Sequence, residues 1–85
     1  MTKTINVYTM ENCPKCKILK ESLLKTGIMT NNKYDVKFIT INPENKEDPN
    51  LNLLIEKGYF MLPVLLVNDT FMNFTQAMEF IKNEI

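Results

Sequence analysis

Apolar and polar residues alternate along Thr4-Ile5-Asn6-Val7-Tyr8, a period of two that predicts a strand. Polar residues from Thr9 to Asn12 follow as a loop. Pro14 then marks a helix start, because its missing N–H is not needed in a first turn. From Pro14 to Thr26 the spacing is helical, with Cys16, Leu19 and Leu23 along one face and Leu24 and Ile28 near it; Gly27 stands where a left-handed terminator belongs. Tyr34, Val36 and Phe38 alternate again and run on to Ile39 and Ile41, a second strand that Asn42-Pro43 stops. Asp48 ahead of Pro49 reads as a cap before a first-turn proline. It opens a helix from there to Lys57 that ends at Gly58, with Leu51, Leu54 and Ile55 as its buried stripe.

Val64-Leu65-Leu66-Val67 is continuously apolar, as a strand covered on both faces must be. Asn68-Asp69 turns it back into Thr70-Phe71-Met72 as an antiparallel hairpin. Thr75 can cap a last helix, whose Phe74, Ala77, Met78, Ile81 and Ile85 recur at helical spacing. The order is β-α-β-α-β-β-α. Strands joined through a helix are parallel with a right-handed crossover. The compact solution is therefore an α/β domain spanning 1–85, with a four-stranded mixed sheet and helices on both faces.

Composition narrows the function. The chain of 85 residues is 45% apolar, which suits one folded domain. Its ten lysines balance ten acids, and it has no arginine. It therefore has neither a long-range field nor the guanidinium fork with which proteins usually engage nucleic acid, and no nucleic-acid or membrane partner is expected. No apolar run approaches the roughly 18 residues of a membrane span, and Met1-Thr2-Lys3-Thr4-Ile5 lacks the apolar core of a signal peptide. A cytoplasmic setting and a monomer are the expectations.

The chain carries two cysteines, Cys13 and Cys16, and no histidine. One monomer cannot supply the four ligands of a structural zinc site. A disulfide enclosing only two residues would restrict the unfolded chain little, so the pair reads as reactive and not as a staple. Disulfide exchange needs a thiolate, and a free cysteine is only about 3% ionised at pH 7. With Pro14 as first helical residue, Cys13 becomes the N-cap. Its sulfur then lies near the N–H groups of Lys15 and Cys16 and the positive end of the helix dipole. Lys15 and Lys17 add positive charge, which Glu11 partly opposes. Cys13 is the expected nucleophile, with Cys16 as the more buried, resolving thiol. Two buried cysteines of no chemical role, or a pair that shares zinc or an iron–sulfur cluster with a second chain, are the competing readings.

Val7-Tyr8-Thr9, then Cys13-Pro14-Lys15-Cys16, then Leu62-Pro63 before an apolar strand resembles the glutaredoxin branch of the thioredoxin superfamily. The resemblance covers nearly the whole chain and implies a thioredoxin-like (glutaredoxin) fold and a thiol–disulfide oxidoreductase that reduces protein disulfides. It implies that Pro63 is a cis-proline close to the cysteines. Leu62 would offer its backbone to an extended substrate, and Tyr8, Pro14, Lys15 and Phe74 would lie at the substrate site. No bound cofactor is implied; electrons would come from glutathione or from NADPH through thioredoxin reductase.

Glutathione-binding members carry a lysine shortly before the first cysteine, where this chain has Met10-Glu11-Asn12. They have Thr-Val before the proline, where Met61-Leu62 stands, and Gly-Gly-x-Asp after the last strand, where Asn73-Phe74-Thr75-Gln76 stands. Phe74 is closer to the redoxins that serve ribonucleotide reductase and are recharged by thioredoxin reductase. Three further features have alternative readings. Tyr59-Phe60-Met61 reads equally as core packing or as a docking rim for a protein partner. The six methionines read as core filler, and Lys15, Lys17 and Lys20 as a solvated helix face.

Overall fold

The computed structural model describes residues 3–27, 33–59 and 61–83. Within them the strands are β1 (Lys3–Thr9), β2 (Tyr34–Thr40), β3 (Val64–Val67) and β4 (Thr70–Met72), and the helices α1 (Pro14–Lys25), α2 (Pro49–Glu56) and α3 (Phe74–Asn83). The strands form one four-stranded sheet in the order β2-β1-β3-β4. β1 and β2 are parallel, with Val7 opposite Phe38, whereas β1–β3 and β3–β4 are antiparallel.

Alternation along each strand sorts its side chains to two faces. Ile5 and Val7 of β1 and Leu65 and Val67 of β3 pack with Leu19 and Leu23 of α1 and Ala77 and Ile81 of α3. On the opposite face Tyr8 and Val64 pack with Ile41 and with Leu54 of α2, and Leu66 and Phe71 lie against them. Helices therefore cover both faces of the sheet. β3 is apolar throughout because its consecutive residues feed two cores. Asn68 and Asp69 both adopt positive φ, 48° and 64°, as a two-residue hairpin turn following the twist of its strands requires.

Helix ends follow local chemistry. The Asp48 carboxylate accepts from the Asn50 N–H at 2.9 Å to cap α2. α1 closes at Thr26, ahead of Gly27 with φ 73°. Thr75 is not the cap of α3: it lies inside the first turn, and Asn73 holds the capping position. The Asn73 Oδ1 accepts from the Gln76 N–H at 2.8 Å, and the Asn73 N–H donates to the Gln76 Oε1 at 3.0 Å, a reciprocal capping box.

One expected core position, Ile55, and one placed near a buried face, Leu24, are instead open to solvent. Ile55 is 47% and Leu24 56% exposed. Each follows a fully or almost fully buried leucine, Leu54 or Leu23, and the ~100° step per residue carries it around the helix away from the sheet. Ile28 and Ile85 lie outside the described residues.

Candidate functional site

α1 begins just beyond the carboxyl end of β1, so the β1–α1 loop delivers Cys13 to the edge of the sheet. Asn12 turns the chain with φ 57°, and Cys13 is extended, with φ −104° and ψ 107°. Pro14 then occupies the first helical turn, where its ring fits and no N–H is required. Cys13 is thereby the N-cap: its carbonyl accepts from the Lys17 N–H at 3.1 Å, and its Sγ accepts from the Cys16 N–H at 3.2 Å. The sulfur thus fills the place that a serine or aspartate oxygen usually takes at a helix start.

Cys13 and Cys16 are joined as a disulfide, with Cα atoms 5.2 Å apart. Their environments differ. Cys13 is half-buried, whereas Cys16 is 5% exposed. An incoming group therefore reaches Cys13 first. No acidic side chain falls in the first turn of α1.

The Leu62–Pro63 peptide bond is cis, the form implied by the resemblance. The Leu62 carbonyl oxygen lies 3.7 Å from the Cys13 Sγ. With the sulfur in a disulfide, this is an approach without a hydrogen bond; a thiol there could donate. Pro63 is fully buried, and Leu62 is half-buried beside it. Lys15, Leu62, Pro63 and Phe74 line a small cleft of about 200 Å³, with Met61 at its rim. The Lys15 Nζ stands 5.7 Å from the Phe74 ring centre, a cation–π contact that ties the start of α1 to that of α3.

The sequence-derived residues Cys13, Pro14, Lys15, Cys16, Leu62, Pro63 and Phe74 thus gather around one disulfide. Tyr8 does not join them at the surface. It is 3% exposed and packed with Ile41, Leu54 and Val64, so its ring serves the core and lines neither groove at the cysteines. The aromatic cluster divides: Tyr59 stacks on Phe71 at 5.6 Å and donates from its hydroxyl to the Phe71 carbonyl, whereas Met61 is 72% exposed. Phe60 lies outside the described residues.

A second, larger groove of about 640 Å³ opens on the other side of Cys13, above the carboxyl ends of β1 and β2. Thr9, Met10, Cys13, Lys17, Lys20 and Phe38 are among its lining residues. Phe38 belongs to the alternation of β2, yet it is 36% exposed and lies under Lys20, whose Nζ is 5.4 Å from the ring centre. Strand periodicity assigns Phe38 to the face of the sheet that α1 covers. It carries no signal that the helix leaves the end of that face open, so the groove is not legible in sequence.

No helix among the described residues is long and apolar enough to cross a membrane. No group of three or more metal-ligating side chains occurs among the described residues. No family model matches the chain, and no curated protein matches it. A solved structure described as "Structure of a malarial protein" is similar along 100% of this chain and 99% of its own, with a TM-score of 0.51 and 13% identity. At that identity the likeness concerns the fold alone.

Proposed function

We propose that the chain is a thiol–disulfide oxidoreductase with a thioredoxin-like fold of the glutaredoxin kind, acting on protein disulfides through Cys13 and Cys16. The observation that carries this reading is the capping geometry: a half-buried sulfur accepts a backbone N–H at the start of α1, bonded to a second, buried sulfur. In the dithiol form the same N–H and the helix dipole favour negative charge on Cys13. The Leu62 carbonyl opposes it, but from farther away, 3.7 Å against 3.2 Å, and without the aligned dipoles of a helix behind it. The Cys13 thiol should therefore ionise below the ordinary thiol range.

The cycle balances as follows. The Cys13 thiolate attacks one sulfur of a substrate disulfide; a Cys13–substrate bond forms, and the other substrate sulfur leaves as a thiolate that takes a proton. Cys16 loses its proton and attacks the Cys13 sulfur, releasing the second substrate thiolate, which is protonated in turn. Two electrons and two protons pass to the substrate, and the disulfide seen in this structure remains. A dithiol reductase drawing on NADPH, or two molecules of glutathione, then restores the dithiol.

Lys15, Leu62, Pro63 and Phe74 form one wall of the substrate site in this reading. The backbone of Leu62, presented next to Cys13, is placed to pair with an extended substrate chain. Phe74 and Met61 supply apolar surface where a glutathione site would hold charged ends. That favours a protein reductase, with thioredoxin reductase as the expected donor over glutathione, and ribonucleotide reductase is a candidate recipient.

The test is reduction of a disulfide-bonded protein by the purified chain and two variants. Cys13→Ser should abolish turnover. Cys16→Ser should accumulate a mixed disulfide between Cys13 and substrate, visible by mass spectrometry. Full turnover by either variant would overturn the assignment. Running the wild-type reaction with glutathione plus its reductase, then with NADPH plus thioredoxin reductase, identifies the donor.

A further inference from the structure

We propose that the groove on the β2 side of Cys13 selects disulfide substrates that carry an acidic side chain within about three residues of the attacked cysteine. The inference rests on the redox reading and extends it to the class of substrate.

Cys13, Cys16, Lys17 and Lys20 follow one another at i, i+3, i+4 and i+7, so the two lysines share the helix stripe of the reactive sulfur. Lys17 lies about one turn, ~5.4 Å, and Lys20 about two turns, ~11 Å, along the axis from the position of Cys13. An extended peptide advances about 3.3 Å per residue. With its cysteine at Cys13, such a chain brings side chains about two and three residues away opposite the two ammonium groups.

Both lysines are exposed and line the groove, and none of its lining residues is acidic. Among the described residues neither lysine forms an ion pair. The Lys20 ammonium stands 5.4 Å from the Phe38 ring centre, a cation–π contact that leaves it N–H donors for a carboxylate. The other wall of the site carries a single lysine, Lys15 over Phe74, among the apolar Met61, Leu62 and Pro63. The chain's net charge is zero, so no long-range field adds to the attraction of these two lysines. That attraction should weaken as added salt shortens the screening length below the ~8 Å of physiological conditions.

The experiment uses matched disulfide-linked peptides differing only in having Glu or Lys at the second and third residues from the cysteine. At low salt the wild-type chain should reduce the Glu peptide about five- to tenfold faster, as two exposed charge pairs support, and high salt should shrink the ratio. In the Lys17→Gln, Lys20→Gln double variant the ratio should fall to near one. Lys25→Gln, outside the groove, should leave the ratio as in wild type. Equal rates on both peptides, or a preference that survives the double variant, would overturn the proposal.

A second readout separates it from the redox reading. The same peptides with Ser in place of Cys are titrated onto the oxidised chain and followed by NMR. Shifts at Lys17, Lys20 and Phe38 with the Glu peptide alone support the groove's preference even if no peptide is reduced. Reduction of both peptides with no such shifts upholds the chemistry and removes the preference.

Discussion

At the scale of single residues, a few side chains do structural work that determines what the site can be. Cys13 is at once the cap of α1 and the more exposed half of the disulfide, so the group that starts the helix is the one proposed to react. The cap of α3 is a purely structural counterpart. Asn73 and Gln76 satisfy each other's backbone N–H groups beside Phe74, which lines the small cleft next to Leu62 and Pro63. Replacing Asn73 with Ala removes one partner and should destabilise the chain by about 1 kcal/mol in urea unfolding. A change within about 0.3 kcal/mol would show that the box contributes nothing. The pattern Asn-x-x-Gln ahead of the helix is a readable signature of this arrangement, and reading Thr75 as the cap placed it two residues late.

At the scale of elements, legibility follows burial. β1 and the inner stripe of α1 are plain from their periodicity, and β3 from its unbroken apolar run, because each packs against a continuous apolar surface. Ile55 and Leu24 were misplaced because helical spacing marks a stripe without fixing its width, and both sit one step past its edge. Phe38 shows the complementary case: correct in phase, but left partly open, with the Lys20 side chain of α1 over its ring. The distinction has a measurable consequence on α1. Leu19 is fully buried between sheet and helix, and Leu24 is mostly exposed. Leu19→Ala should cost about 2–5 kcal/mol, and Leu24→Ala less than about 0.5 kcal/mol, in chemical unfolding. Comparable losses at both positions would mean that the outer face of α1 is covered in solution.

At the scale of the whole molecule, the site is assembled from segments that the sheet order brings together. The end of β1 presents Cys13, the entry to β3 presents Leu62 and Pro63, and the start of α3 presents Phe74. The cysteine pair was legible because it is a local motif. The groove above β1 and β2 was not, because it depends on how far α1 extends over a strand from another part of the chain. A thiol that ionises more readily in the folded chain than in the unfolded one also couples the site to global stability. Unfolded chains then bind the extra proton, so stability rises with pH. The contribution is complete above the unfolded thiol value, about 8.5, and is lost as pH falls through the lower folded value. Urea unfolding of the reduced chain against Cys13→Ser should therefore show an advantage for wild type that grows from acid to mildly alkaline pH. Each unit of depression corresponds to about 1.4 kcal/mol. A difference independent of pH would mean that folding leaves this thiol unperturbed.

The most direct measurement is alkylation of the reduced chain across a pH series, with each cysteine resolved by mass spectrometry. Cys13 should react first, its rate reaching half its plateau at a pH below that of a free cysteine, while Cys16 remains slow throughout. Equal reactivity of the two thiols, both following an ordinary free thiol, would contradict the account.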